Sequence, residues 1–183
     1  MKTPIHTAYV ALGSNVGDRL AHLRFAIYGL GKLPMSRVDR VSPIYETAPL
    51  GPAKFGFLNA VARVRTPVAP RPMLDVLFQI ERARGRQRRE KWGPRTLDLD
   101  LIAWMDDDGA QVELRTDHLE LPHPEAHRRD FVLRPLLDVE PTLTLGGQRL
   151  DKLLATIAPE NETVEGRLEA SLGDDPGDLP TKR

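Results

Sequence analysis

The segment Trp92-Gly93-Pro94-Arg95-Thr96-Leu97-Asp98-Leu99-Asp100-Leu101-Ile102 holds the densest chemistry in this chain of 183 residues. Side chains alternate faces along a strand, so Asp98 and Asp100 share one side while Leu97, Leu99 and Leu101 share the other. Two carboxylates about 7 Å apart on one strand face can jointly hold hard divalent cations. Magnesium suits such a pair, since it takes one or two carboxylates and fills its other positions with water and phosphate oxygens. The competing reading of a lone D-x-D is an edge strand wearing acids for solubility. Its position directly after a basic loop tilts the balance toward a metal site.

In that loop the bases Arg82, Arg84, Arg86, Arg88, Arg89, Lys91 and Arg95 meet only Glu90 in return. Guanidinium groups take phosphate oxygens bidentately, so arginines beside a metal site suit a magnesium polyphosphate. A solvated charge run at a helix end is the bland alternative. A nucleic-acid patch is disfavoured because too few aromatics are interleaved. Phe57, Asn59, Phe131 and Trp92 could bind a flat heterocycle, with rings stacking and the amide giving and accepting hydrogen bonds. Plain core packing competes for each phenylalanine, whereas Asn59 in an apolar strand must find partners for its amide. His123, held between Pro122 and Pro124, is either structural or a group that touches phosphate or shuttles protons. Gly13-Ser14-Asn15-Val16-Gly17 lacks the Gly-Lys-Ser/Thr ending of a nucleotide loop and reads as a tight strand-to-helix turn.

The elements that must position these groups follow from periodicity. Ala8 to Leu12 is a short apolar run, a buried strand stopped by Gly13. Asp18 can cap a helix with Leu20, Leu23, Ile27 and Leu30 on one stripe. Arg37 to Thr47 and Phe57 to Val64 read as strands. Pro70 and Pro72 open a second helix whose apolar face is Met73, Leu74, Leu77, Ile80 and Ala83. Leu97 to Met105 is the last core strand. This order predicts an α+β, ferredoxin-like βαββαβ core: an antiparallel sheet with helices on one face, leaving the other free for a ligand. Gln111 to Leu114 adds a short strand, and Pro122 to Val139 a turn with short helical segments.

The 26 basic and 26 acidic residues cancel, which disfavours nucleic-acid binding driven by overall charge. With no cysteine, disulfides, thiolate catalysis and cysteine-ligated metals are excluded. No apolar run approaches the ~18 residues that span a bilayer, and Met1 to His6 lacks an export signal; a soluble cytoplasmic protein is expected. Residues 1–158 read as a single domain. The stretch 159–183, acidic and poor in aromatics, reads as a flexible tail.

The chain resembles the 6-hydroxymethyl-7,8-dihydropterin pyrophosphokinase family. The resemblance is carried by Val10 to Asn15, Ser42 to Pro52, Phe57 to Ala60, Ile80-Glu81 through Gly85-Arg86, Lys91 to Ile102, Leu121 to Pro124 and Arg129 to Leu133. It implies pyrophosphate transfer from ATP to a reduced pterin alcohol, with AMP released, in folate biosynthesis. Asp98 and Asp100 would hold two magnesium ions, with Arg86 and Arg95 neutralising phosphate. Arg88, His123 and Arg129 would add phosphate contacts, with the choice between Arg88 and Arg89 open. Glu81 and Leu101 would lie near the nucleotide, and Trp92 would close over the site. Phe57 and Phe131 would sandwich the pterin while Asn59 and the backbone around Thr47 and Leu50 read its edge. A monomer with small-molecule partners, and neither nucleic acid nor membrane, is implied. The rival from another class is a non-catalytic ferredoxin-like binding module.

Overall fold

Apolar residues at both odd and even positions make β1 (His6–Ser14) a strand buried on both faces, as such a run requires. A computed structural model describes residues 3–48, 56–85, 96–159, 162–168 and 172 of the chain. The expectations for Leu50, Arg86, Arg88, Trp92 and Arg95 lie outside those residues. β1 is followed by α1 (Arg19–Gly31), β2 (Arg37–Val41), β3 (Ile44–Thr47), β4 (Phe57–Thr66), α2 (Pro70–Ala83) and β5 (Asp98–Met105). The predicted βαββαβ order is present, with β1 antiparallel to β4 on one side and to β5 on the other.

One expected strand, 37–47, is two. Pro43 cannot donate to a ladder, and the break is stitched to β4 through Ser42: its N–H donates to the Val61 carbonyl and its hydroxyl accepts from the Val61 N–H, both at 2.9 Å. β2 and β3 then both pair with β4.

Asp18 caps α1 by accepting from the Ala21 N–H at 3.0 Å, and Leu23, Ala26 and Leu30 are its fully buried face. On α2 the buried stripe is Met73, Leu74, Leu77, Ile80 and Glu81, while Ala83, expected on that face, is exposed. Both helices pack on one side of the sheet against Ala8, Val10, Leu12, Leu58, Ala60, Leu99 and Leu101.

The second face is not left wholly free. After the short pair β6 (Leu114–Arg115) and β7 (Glu120–Leu121) and a 3-10 turn at Ala126–Arg128 come α3 (Asp130–Val139), the pair β8 (Thr144–Leu145) and β9 (Gln148–Arg149), and α4 (Leu150–Ala155). α3 and α4 bury Leu133, Leu136, Leu150 and Leu153 against Tyr9, Val61, Ile102 and Ala103. Of the strand expected at 111–114, Gln111 forms a bridge to Met105 and Leu114 begins β6. Finally β10 (Val164–Leu168) pairs with β3, inside the stretch whose composition suggested a tail. The sheet reads β10-β3-β4-β1-β5, with β2 also on β4.

Candidate active site

At the end of the sheet where β1 meets α1, three adjacent strands present one cross-strand row: Asn59 on β4, Gly13 on β1 and Asp98 on β5. Neighbouring strands lie about 4.8 Å apart, so the amide and the carboxylate stand on either side of the glycine at roughly 10 Å. A Cβ placed on Gly13 would lie 3.5 Å from Asn59 Oδ1, 3.6 Å from Phe57 Cδ1 and 3.9 Å from Asp98 Cβ. All three side chains therefore surround one point, and the missing side chain of Gly13 leaves the space above it open.

Alternation places the acids as expected. Leu97, Leu99 and Leu101 are buried under α1 and α2, so Asp98 and Asp100 face the other side, half-exposed. A register slip between β1 and β5 at Tyr9/Val10 brings Ile102 and Ala103 both into the cluster under α3. Such a bulge ends one facing pattern and starts another, so the strand changes from cleft-lining acids to buried aliphatics within two residues. The β5 edge is also held from α2. Glu81, 2% exposed, accepts from the Leu99 N–H at 2.8 Å, the amide between the two acids.

Arg129 and His123 close the acid side. Arg129 Nη1 lies 3.8 Å from Asp100 Oδ2, with its guanidinium carbon 5.9 Å from the centre of the Phe131 ring. The His123 N–H donates to the Ile102 carbonyl at 2.8 Å, tying its turn to β5. Burial holds the His123 imidazole below its ordinary pKa; Arg129 pushes the same way, while Asp100, Glu125 and Asp98 oppose. A neutral ring offers a hydrogen bond to phosphate without extra charge.

On the other side of Gly13 the Asn59 Nδ2 donates to Thr47 Oγ1 at 3.2 Å, and both residues are buried. That bond answers the amide's demand for a partner and fixes its orientation toward the cleft. Phe57, opposite Thr47 in the β3–β4 pair, and Phe131, at the start of α3, are half-buried.

Two residues that the resemblance puts near the nucleotide have buried side chains, Glu81 and Leu101. The Leu101 side chain belongs to the core beneath α1 and α2, opposite Asp100, because strand alternation permits nothing else; what Leu101 can offer a nucleotide is backbone. Glu81 is spent on the β5 backbone rather than standing in the cleft. Sequence reasoning missed three positioning roles. Gly13 is the open floor. The Ser14 hydroxyl, fully buried, donates to the Thr96 carbonyl at 2.6 Å and pins the start of β5. Asp130 precedes Phe131 and anchors a later strand. Polarity beside an apolar run, the signal used for Asn59, could have flagged Ser14 and Asp130; nothing local flags Gly13.

Among the described residues no three His, Asp or Glu side chains gather into a metal cluster. The donor set at Asp98 and Asp100 therefore fits a hard cation that takes its remaining oxygens from phosphate and water, and does not fit a zinc-type cage.

Residues 9–141 match the family model described as 7,8-dihydro-6-hydroxymethylpterin-pyrophosphokinase (HPPK). The chain is 41% identical over 160 residues to the 2-amino-4-hydroxy-6-hydroxymethyldihydropteridine pyrophosphokinase of Methylorubrum extorquens, covering 86% of this chain and 98% of that protein. It is 44% identical over 160 residues to the protein of the same name from Mycobacterium tuberculosis, covering 82% and 83%. Among solved structures, Plasmodium falciparum HPPK-DHPS wild type with pterin and p-hydroxybenzoate aligns with a TM-score of 0.63 at 15% identity, a likeness of fold. That alignment covers 82% of this chain and 43% of the longer one.

Proposed function

Because the chain belongs to the 7,8-dihydro-6-hydroxymethylpterin-pyrophosphokinase family, we propose that it transfers pyrophosphate from ATP to 6-hydroxymethyl-7,8-dihydropterin, a step of folate biosynthesis. In this reaction the hydroxymethyl oxygen forms a bond to the β-phosphorus, the bond from that phosphorus to the AMP oxygen breaks, and the hydroxyl proton is released. The observation that supports it is the cross-strand row: an oriented amide and an acid pair flank one open glycine, so a heterocycle and a polyphosphate can lie side by side.

Each residue then has a task. Asn59, oriented by Thr47, reads the edge of the pterin, with Leu50 assigned beside them, and Phe57 and Phe131 bracket its ring faces. Asp98 and Asp100 would hold two magnesium ions, which when bound offset phosphate charge and ease displacement at phosphorus. Arg129 and neutral His123 meet phosphate oxygens from the β5 side. Arg86, Arg88 and Arg95 are assigned to phosphate and Trp92 to covering the site, as the family pattern implies. Holding both substrates on one sheet face converts a two-body encounter into a positioned one, where most of the rate gain of phosphoryl transfer arises. We further take the enzyme to be cytoplasmic and to work as a monomer.

A product assay tests this. The protein is incubated with ATP, magnesium and the pterin alcohol, and AMP is resolved from ADP. AMP in step with pterin diphosphate is expected. ADP would indicate an ordinary kinase, and no nucleotide product would leave a binding module.

A further inference from the structure

Residues 162–168, inside the stretch that composition marks as an acidic tail, re-enter the fold. β10 lies along the outer edge of β3, with Val164 opposite Thr47, Arg167 opposite Tyr45 and Leu168 opposite Ile44. One residue beyond β3, the Ala48 N–H donates to the Thr163 carbonyl at 3.0 Å. The backbone that carries Thr47 is thus held from outside.

The same residues are gripped by α3. Asp130, 1% exposed, accepts from the Thr163 N–H at 2.7 Å and the Val164 N–H at 2.8 Å through Oδ2. Its Oδ1 accepts from the Thr163 hydroxyl at 2.6 Å and from the Phe131 N–H at 2.8 Å. A carboxylate this buried needs such donors, and three of the four come from Thr163 and Val164. Further along, the Tyr45 hydroxyl donates to Asp138 on α3. Arg167 donates to the Tyr45 oxygen and to Asp138, both at 2.9 Å. Arg134 and Glu162 pair at 2.9 Å. Residues 162–168 therefore connect two elements, β3 and α3, that carry Thr47 and Phe131. β5, with the acid pair, lies at the opposite edge of the sheet and does not pair with them.

We propose that residues 162–168 form a cross-brace that sets the spacing of Thr47 and Phe131, and so tunes affinity for the pterin more than affinity for ATP, which meets the braced end of α3 only through Arg129. This rests on the pterin assignment above. Thr163 is the positioning residue at its centre: it supplies two donors to Asp130 and the acceptor for Ala48, and it is assigned no substrate contact.

The test uses full-length Thr163→Pro, which removes both Thr163 donors, and Thr163→Ser, which keeps them. Dissociation constants are measured separately for 6-hydroxymethyl-7,8-dihydropterin and for ATP with magnesium, alongside KM and kcat. Thr163→Pro is expected to weaken pterin binding roughly tenfold, the equivalent of one or two net hydrogen bonds, with ATP binding within about twofold. Thr163→Ser should match wild type. If Thr163→Pro does not fold, Thr163→Val and Arg167→Ala should each weaken pterin binding about threefold, with the change in ATP binding smaller. Equal weakening of both substrates, or unchanged pterin binding in a folded variant, overturns the brace alone. A wild-type chain that binds no pterin and makes no AMP overturns the function, and the brace's task with it.

Discussion

Gly13, Asn59 and Asp98 stand in one row across three strands, yet only Asn59 and Asp98 are read from sequence, each by a different signal. Strand alternation alone sends Asp98 and Asp100 to one side, and the buried leucines between them fix which side that is. Asn59 is recognisable as a polar residue in an apolar strand, but its partner Thr47 is twelve residues away and only pairing reveals it. Leu101 shows what alternation decides: its side chain is buried on the face away from the acids. At this scale Asp98→Asn and Asp100→Asn are each expected to lower kcat for AMP formation by about 100-fold or more, since each removes a charge that the proposed mechanism uses to hold cations on the reacting phosphates. Both side chains are half-exposed, so melting temperature should stay close to wild type. Wild-type turnover by either variant would contradict the acid-pair assignment.

Among the elements, β3 and β4 depend on a glycine at their shared end. A Cβ on Gly56 would lie 2.1 Å from the Thr47 carbonyl oxygen, closer than any side chain tolerates, and that oxygen is backbone that cannot swing aside. The Gly56 carbonyl also accepts from Arg19 at 2.7 Å, and Arg19 pairs with Glu46 at 3.1 Å, so α1 is tied to the same corner. Gly56→Ala is expected to cost about 1–3 kcal/mol, the range for overpacking, and to raise the pterin KM by displacing Thr47 and Phe57. Chemical denaturation and steady-state kinetics check the two effects; an unchanged midpoint would remove the close-approach argument. The split of the strand expected at 37–47 was foreshadowed by Pro43. The bulge in β5 was not, because nothing in Asp98-Leu99-Asp100-Leu101-Ile102-Ala103 says where β1 slips register.

For the whole molecule, the helix layer under the sheet is locked at the base of the basic loop. Arg84 Nε donates to His22 Nδ1 at 2.8 Å, with the guanidinium 4.9 Å from the centre of the Phe25 ring. Burial and the Arg84 charge hold the His22 pKa below its ordinary value, with Asp18 opposing. The folded chain thus takes up the His22 proton less readily than the unfolded chain. This contribution to stability is complete above the unfolded value near pH 6.5 and is lost as pH falls toward the folded value. Between about pH 7 and 5.5, wild type should lose more stability than His22→Gln, which keeps an acceptor for Arg84 but cannot titrate. Parallel denaturation curves at both pH values would sink this account. In the other helix layer α3 was legible as helical and α4 was not, and neither was legible as a cover for the second sheet face, since an apolar stripe does not name the surface it covers.

Local patterning in the sequence determined the strand and helix order, the shared side of the two acids, the cap at Asp18 and the family motif, because these depend on residues a few positions apart. Tertiary structure alone decided the rest. It put Gly13 between Asn59 and Asp98, turned Glu81 onto the Leu99 amide, brought Asp130 to Thr163 and returned 164–168 to the sheet. Each of those joins residues separated by eighteen positions or more, and hydrogen-bond partners at that range are chosen by how the layers pack, which no local period encodes.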